Sequence, residues 1–125
     1  MRWIVDGMNV IGTRPDGWWK DRDRAMAMLV RNLDRWASAI GAEATVVFER
    51  PLATVICTAV IQITHAPKAA ANSADDEIVR LVQADTNPRD IRVVTSDKAL
   101  ASRITSLGAT AYPADSFRSL IDPRG

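Results

Sequence analysis

Thr45-Val46-Val47-Phe48 is an unbroken run of β-branched and aromatic residues. A strand with one wet face alternates apolar with polar residues. An unbroken run marks a strand covered on both faces, as in a parallel sheet between two helical layers. Two further short apolar segments, Arg2 to Val5 and Ile91 to Val94, have the same character, and Ala109 to Tyr112 reads as a last strand. Between them lie helical periodicities. Met26, Leu29, Leu33, Trp36, Ala37 and Ile40 recur at three and four within a helix from Asp21 to Ile40, closed by Gly41. Ala74, Ile78, Leu81 and Val82 do the same from Ala74 to Ala84. Leu100, Ile104 and Leu107 follow from Asp97 to Leu107, and Phe117, Leu120 and Ile121 mark a short last helix. The apolar stretch Leu52 to Thr64 is the hardest to divide; its later part, Ala59 to Thr64, reads as a strand. Gly12 to Gly17 and Ala66 to Asn72 read as loops, and Asn87-Pro88 as a break.

The resulting order, β-α-β-β-α-β-α-β-α, predicts an α/β fold of three layers, α/β/α, around a central, mainly parallel sheet. No linker, repeat or low-complexity segment interrupts it, so residues 1–125 are expected to form one domain. Hydrophobic residues at 47% and charged residues at 25% exclude a disordered chain. A net charge of +1 identifies no partner by itself. The single cysteine, Cys57, excludes an internal disulfide and fits a reducing, cytoplasmic setting. It sits in the apolar run Val55-Ile56-Cys57 and is expected to be buried. Trp3-Ile4-Val5 already reads as strand, so no leader is expected, and no apolar stretch approaches the ~20 residues of a membrane helix. One histidine, His65, rules out a histidine-rich zinc site within the chain.

The carboxylates are placed by this layout. Asp6 follows the first strand, Glu49 the second, and Asp97 follows Ile91 to Val94 after Thr95-Ser96; Asp75 and Asp76 open the second long helix. Strand C-termini of a parallel sheet share one edge, and ligands bind there where the strand order reverses. Asp75 shares a helical face with Ile78, Val79 and Val82, and Asp76 lies about 100° round the helix. Gathered acids repel one another, and a hard divalent cation, Mg²⁺ or Mn²⁺, relieves the conflict. Such an ion lowers the pKa of bound water and clamps phosphate oxygens, which points to phosphodiester hydrolysis. Each acid also has a plainer role. Asp6-Gly7 fits a turn, Asp75 and Asp76 fit first-turn acids beside Ser73, Ser96-Asp97 fits a helix cap, and Glu49 fits a surface partner of Arg50. Those roles explain each acid singly but not their conjunction.

Asp6-Gly7-Met8-Asn9-Val10-Ile11-Gly12, Ala74-Asp75-Asp76-Glu77-Ile78-Val79 and Val94-Thr95-Ser96-Asp97 resemble, in that order, the NYN domains of the PIN-like nuclease superfamily, in their YacP-like bacterial branch. The resemblance covers nearly the whole chain. It implies a PIN-like fold, Mg²⁺ or Mn²⁺ as cofactor, and metal-dependent endoribonuclease activity. It makes Asp6, Asp75, Asp76 and Asp97 the metal-binding and catalytic acids. Asn9 would orient the ion or its water, and Ser96 would bind substrate phosphate or steady Asp97. Two departures stand out: relatives usually carry Phe-Asp-Gly where this chain has Phe48-Glu49-Arg50-Pro51, and some carry an acid where it has Ala101. They keep open a catalytically weak or inactive RNA-binding module on the same fold, and Glu49 is a possible site residue.

Arg14, Lys20, Arg22 and Lys68 are candidate phosphate contacts, and Trp18 or Trp19 a candidate stacking platform, for RNA in single strands or loops. A Trp packed over the first long helix and a solvated Lys68 are the plainer roles. Ribosome association and oligomeric state are open at this stage. A mononucleotide-binding Rossmann site lacks support, because Asp6 stands where a phosphate cradle needs an anion-friendly, glycine-rich loop.

Overall fold

The computed structural model describes residues 2–13, 17–67 and 73–122. Five strands, β1 (Arg2–Asp6), β2 (Glu43–Phe48), β3 (Gln62–His65), β4 (Ile91–Val94) and β5 (Thr110–Tyr112), form one sheet in the order β3-β2-β1-β4-β5. Every pairing is parallel. The chain winds outward from β1 to β2 and β3, then crosses back to β4 and β5. The order therefore reverses at β1, and the crevice beside it opens between β1 and β4.

The helices are α1 (Gly7–Ile11), α2 (Arg22–Ile40), α3 (Ser73–Ala84), α4 (Lys98–Ser106) and α5 (Ala114–Ile121). Strand side chains alternate between two cores. Trp3, Val5, Val46 and Phe48 join α1, α2 and α5 in one; Ile4, Val47 and Val93 join α3 and α4 in the other. The first is rich in aromatics. Trp3 meets Trp36, Tyr112 and Phe117 with ring centroids 5.3–5.4 Å apart, mostly edge to face. Among the described residues, no helix is long and apolar enough to cross a membrane.

The architecture follows the sequence reading, with corrections that have physical causes. The segment after Asp6 is a short helix, α1, and not a turn. Five residues are too few to show a period. Gly7 is required there by close packing: a Cβ on it would lie 2.4 Å from the Phe48 ring. The strand expected at Ala59 to Thr64 is Gln62–His65. Residues 59–61 cannot pair with β2, because the Asp34 carboxylate accepts the N–H groups of Ala59, Val60 and Ile61 at 3.0, 2.9 and 3.2 Å. Those bonds hold the Asp34 carboxyl below its ordinary pKa. Cys57 is exposed, not buried. The 52–57 segment forms no regular element, and only Leu52 and Ile56 pack against the core while Val55 faces solvent. Ile40 and Leu120, expected on buried stripes, are also exposed.

Candidate active site

The pleat decides where the first acid points. Ile4 belongs to the α3–α4 core and Val5 to the other, so Asp6 returns to the α3–α4 side. It is only 6% exposed. Thr95, next after the β4 strand and also buried, donates its hydroxyl to Asp6 Oδ2 at 3.2 Å. The same hydroxyl accepts the Asp97 N–H at 3.1 Å. The Asp97 N–H thus donates to Thr95, and the single Thr95 hydroxyl hydrogen goes to the Asp6 carboxylate.

Asp97 is the N-cap of α4. Its Oδ1 accepts from Ala99 and Leu100 N–H at 2.9 and 3.1 Å. The cap role read from the sequence and a place at the acid edge are thus compatible, because both bonds use one oxygen. Asp75, on the first turn of α3, is half-buried. Burial and then the Asp97 charge push its carboxyl above the ordinary range, with Asp76 and Glu49 adding to the effect and Arg103 opposing it. Asp6 is shifted further, to about 7 from 3.8. Burial is the largest cause and Asp75 the next; the Thr95 hydroxyl and the Asn9 backbone N–H pull the other way, and Asp97 adds a further push. Asp6, Asp75 and Asp97, far apart in sequence, therefore lie in one another's field at the C-terminal edge of the sheet.

The remaining residues divide. Glu49 is half-buried and contributes to the field at Asp75. It is not Arg50's partner: Arg50 donates to Asp23 at 2.9 Å. The side chain of Asp76 is 77% exposed and pairs with Arg103 at 3.1 Å, which sets it at the rim. Asn9 braces the site from α1, its Oδ1 accepting the Ser96 N–H at 2.8 Å. The Ser96 hydroxyl accepts the Ala114 N–H at 2.9 Å and so holds the start of α5. Trp18 packs partly buried against the core, with the Arg22 guanidinium 5.6 Å from its ring centre; Trp19 is 56% exposed, and Lys20 is exposed. Arg14 and Lys68 lie outside the described residues.

Sequence reasoning missed Thr95, whose role rests on a contact across 89 residues. It also missed Glu77, which is 6% exposed and bonded twice to Arg80 at 2.7 Å. Its position, three after Ala74 and four before Leu81, was the available signal.

The donor set is all oxygen, which suits a hard cation, and its mutual repulsion is the kind of strain such an ion removes. Among the described residues, no three acidic, histidine or cysteine side chains converge closely enough to ligate an ion directly. Asp6, Asp75 and Asp97 are the residues that would hold it.

A family model, the YacP-like NYN domain, matches residues 3–124. Among solved structures, the crystal structure of Rae1 (YacP) from Bacillus subtilis is 25% identical, with a TM-score of 0.79 over 99% of this chain and 76% of that one. A tryptophan-to-leucine mutant of the same protein is 24% identical, with a TM-score of 0.72 over 99% and 77%, and it supports the fold alone. No curated protein matches the chain.

Proposed function

This chain belongs to the YacP-like NYN domain family, whose members have a nuclease-type fold, and from that premise we propose that it is a metal-dependent endoribonuclease. The observation that carries the reading is the upward push on Asp6 and Asp75 from burial and from neighbouring acids, Asp97 among them in both cases. A protein gains nothing for its stability by leaving acids so placed. A site that binds a cation and a phosphodiester gains both.

Asp6, Asp75 and Asp97 hold a Mg²⁺ or Mn²⁺ ion, with Asp76 and Glu49 at the rim. Once bound, the ion lowers the pKa of a coordinated water and neutralises charge on the phosphate. The chain's own residues do the rest. Thr95 fixes the Asp6 carboxylate, and Asn9 and Ser96 lock the loop that carries Asp97. Lys20 and Arg22 supply positive charge for the RNA backbone beyond the acid crevice, and Trp18 or Trp19 a surface for unpaired bases. Arg14 and Lys68 extend that basic set in sequence. Single strands or loops of RNA are the expected substrate, because only there are bases free to stack. Function in the cytoplasm, alone or on a ribosome, completes the proposal.

The test is cleavage of an unstructured and a hairpin RNA in Mg²⁺, Mn²⁺ and chelator, beside Asp97→Asn. Chelator abolishes cleavage, and Asp97→Asn lowers it by at least about a hundredfold, since even outer partners of a metal are worth 10–100-fold. An Asp97→Asn protein that cuts at the wild-type rate overturns the mechanism. RNA binding without cleavage is the second reading. One observation favours it: the acids of the described residues form no direct ligating trio. Tight binding in chelator, with no product after long incubation in Mn²⁺, would select it.

A further inference from the structure

On the opposite side of the sheet from Asp6, but at the same C-terminal edge, the segment after β2 and the ends of β2 and β3 line an open cavity of about 260 Å³. Phe48, Leu52, Ile56 and Ile63 line it, and Arg50 and His65 also contribute to its wall. Phe48 and His65 are register partners, so they stand side by side at the strand ends. β3 lies two strands from β1, about 10 Å at the usual strand spacing. Glu49, the residue between Phe48 and Arg50, lies in the field of Asp75. The cavity and the acid crevice are thus joined by one short stretch of chain.

We propose that this cavity is a base-binding subsite for an unpaired RNA nucleotide beside the bond held at the acid edge, with His65 reading an N–H on the base. The proposal rests on RNA being the ligand of the acid edge. An apolar slot with few polar groups takes a flat ring, and its size suits one.

His65 gives the slot an acceptor. Its Nδ1 lies 2.8 Å from the Ala66 carbonyl oxygen. A carbonyl only accepts, so Nδ1 carries the hydrogen and, in the neutral ring, Nε2 is left as an acceptor. Every RNA base carries an N–H on its edge that such an acceptor can take, an exocyclic amine on adenine and cytosine and the ring N3–H on uracil. The slot therefore takes a base through one N–H without choosing among them.

The experiment is binding of a fluorescent single-stranded RNA in chelator, scanned with one abasic nucleotide at a time. In the wild type, one position weakens binding by about tenfold when its base is removed, within the range for a stacked base. N3-methyluracil in place of uracil at that position, which lacks the ring N–H, weakens binding as well. His65→Ala, on an exposed side chain, removes the difference between uracil and N3-methyluracil. Ile56→Trp, which fills the slot, removes the dependence on that base. Far-UV circular dichroism and melting check that both variants fold. A flat abasic profile in the wild type, or a full base dependence surviving in both variants, overturns the subsite. Cleavage with a flat profile removes the subsite and leaves the nuclease. Base-dependent binding with no cleavage in Mn²⁺ does the reverse, and no RNA binding removes both.

Discussion

The acids of this domain fall into two populations. At the C-terminal edge, Asp6 and Asp75 have carboxyls pushed upward by burial and by neighbouring acids, Asp75 on Asp6 and Asp97 on Asp75. Elsewhere, Asp34, Glu77 and Asp85 are pulled downward by donors: backbone N–H groups around Asp34, the Arg80 guanidinium at Glu77, and the Asn87 N–H followed by Arg2 at Asp85. The second population behaves as structural acids do, each charge met by a hydrogen bond. In the first, the Thr95 and Asn9 hydrogen bonds to Asp6 and the Arg103 charge near Asp75 are outweighed by burial and neighbouring acids. That difference separates residues serving the fold from residues held ready for a ligand, and it is the physical ground for reading a functional site here.

The comparison breaks most visibly at Asp6. Its folded carboxyl titrates near 7, well above its ordinary value of 3.8. A raised carboxyl pKa means the folded state holds the proton more tightly. Stability from this group is therefore fully present below about pH 4 and is lost as pH rises through about 7. Three pKa units correspond to a loss on the order of 4 kcal/mol. Asp6→Asn should melt higher than the wild type at pH 7.5 in chelator and should lack most of that slope, as thermal melts across pH 4–8 will report. Mn²⁺ should recover stability in the wild type only. Equal pH slopes for the two proteins would place Asp6 with the structural acids.

Asp34 sharpens the other side. Asp34→Ala frees the N–H groups of residues 59–61, at a cost of about 1 kcal/mol, since the bonds sit near solvent. Hydrogen exchange should quicken at those amides while the acid crevice is unchanged. The sign with pH is opposite to that of Asp6: a depressed carboxyl adds stability above about pH 4, and that share is lost as pH falls below it. The smallest effect is expected from Arg103→Ala. Arg103 is the positive group opposing the rise at Asp75, so its removal should move the Asp75 titration higher still, followed by carboxyl NMR. A downward move would show that Arg103 acts on Asp75 by some route other than charge.

Much of this was legible before any coordinates. Asp6, Asp75 and Asp97 were marked by the simplest rules available, strand ends and one helical face, and these are local properties. What the sequence hid was relational. Nothing near Gly7 announces that the Phe48 ring lies against it. Nothing near Ala59 announces that Asp34, on α2, has captured its amide. The run Val55-Ile56-Cys57 looked like core because hydrophobicity was counted without knowing whether a sheet face remained for it to cover. Thr95 looked like loop filler until β4 was placed beside β1.

The Thr95-to-Asp6 bond has a consequence in time. It joins positions 89 residues apart, on neighbouring strands that come from the two halves of the chain. Contacts of that separation require the intervening loop to close before they are rewarded, so they form late. During synthesis, β1, β2 and α2 emerge while the Thr95-Asp97 loop is still unmade. A half-made chain can thus have much of its hydrophobic interior yet no assembled acid edge, and any capacity to cut waits for β4 and the Thr95–Asp97 segment to arrive.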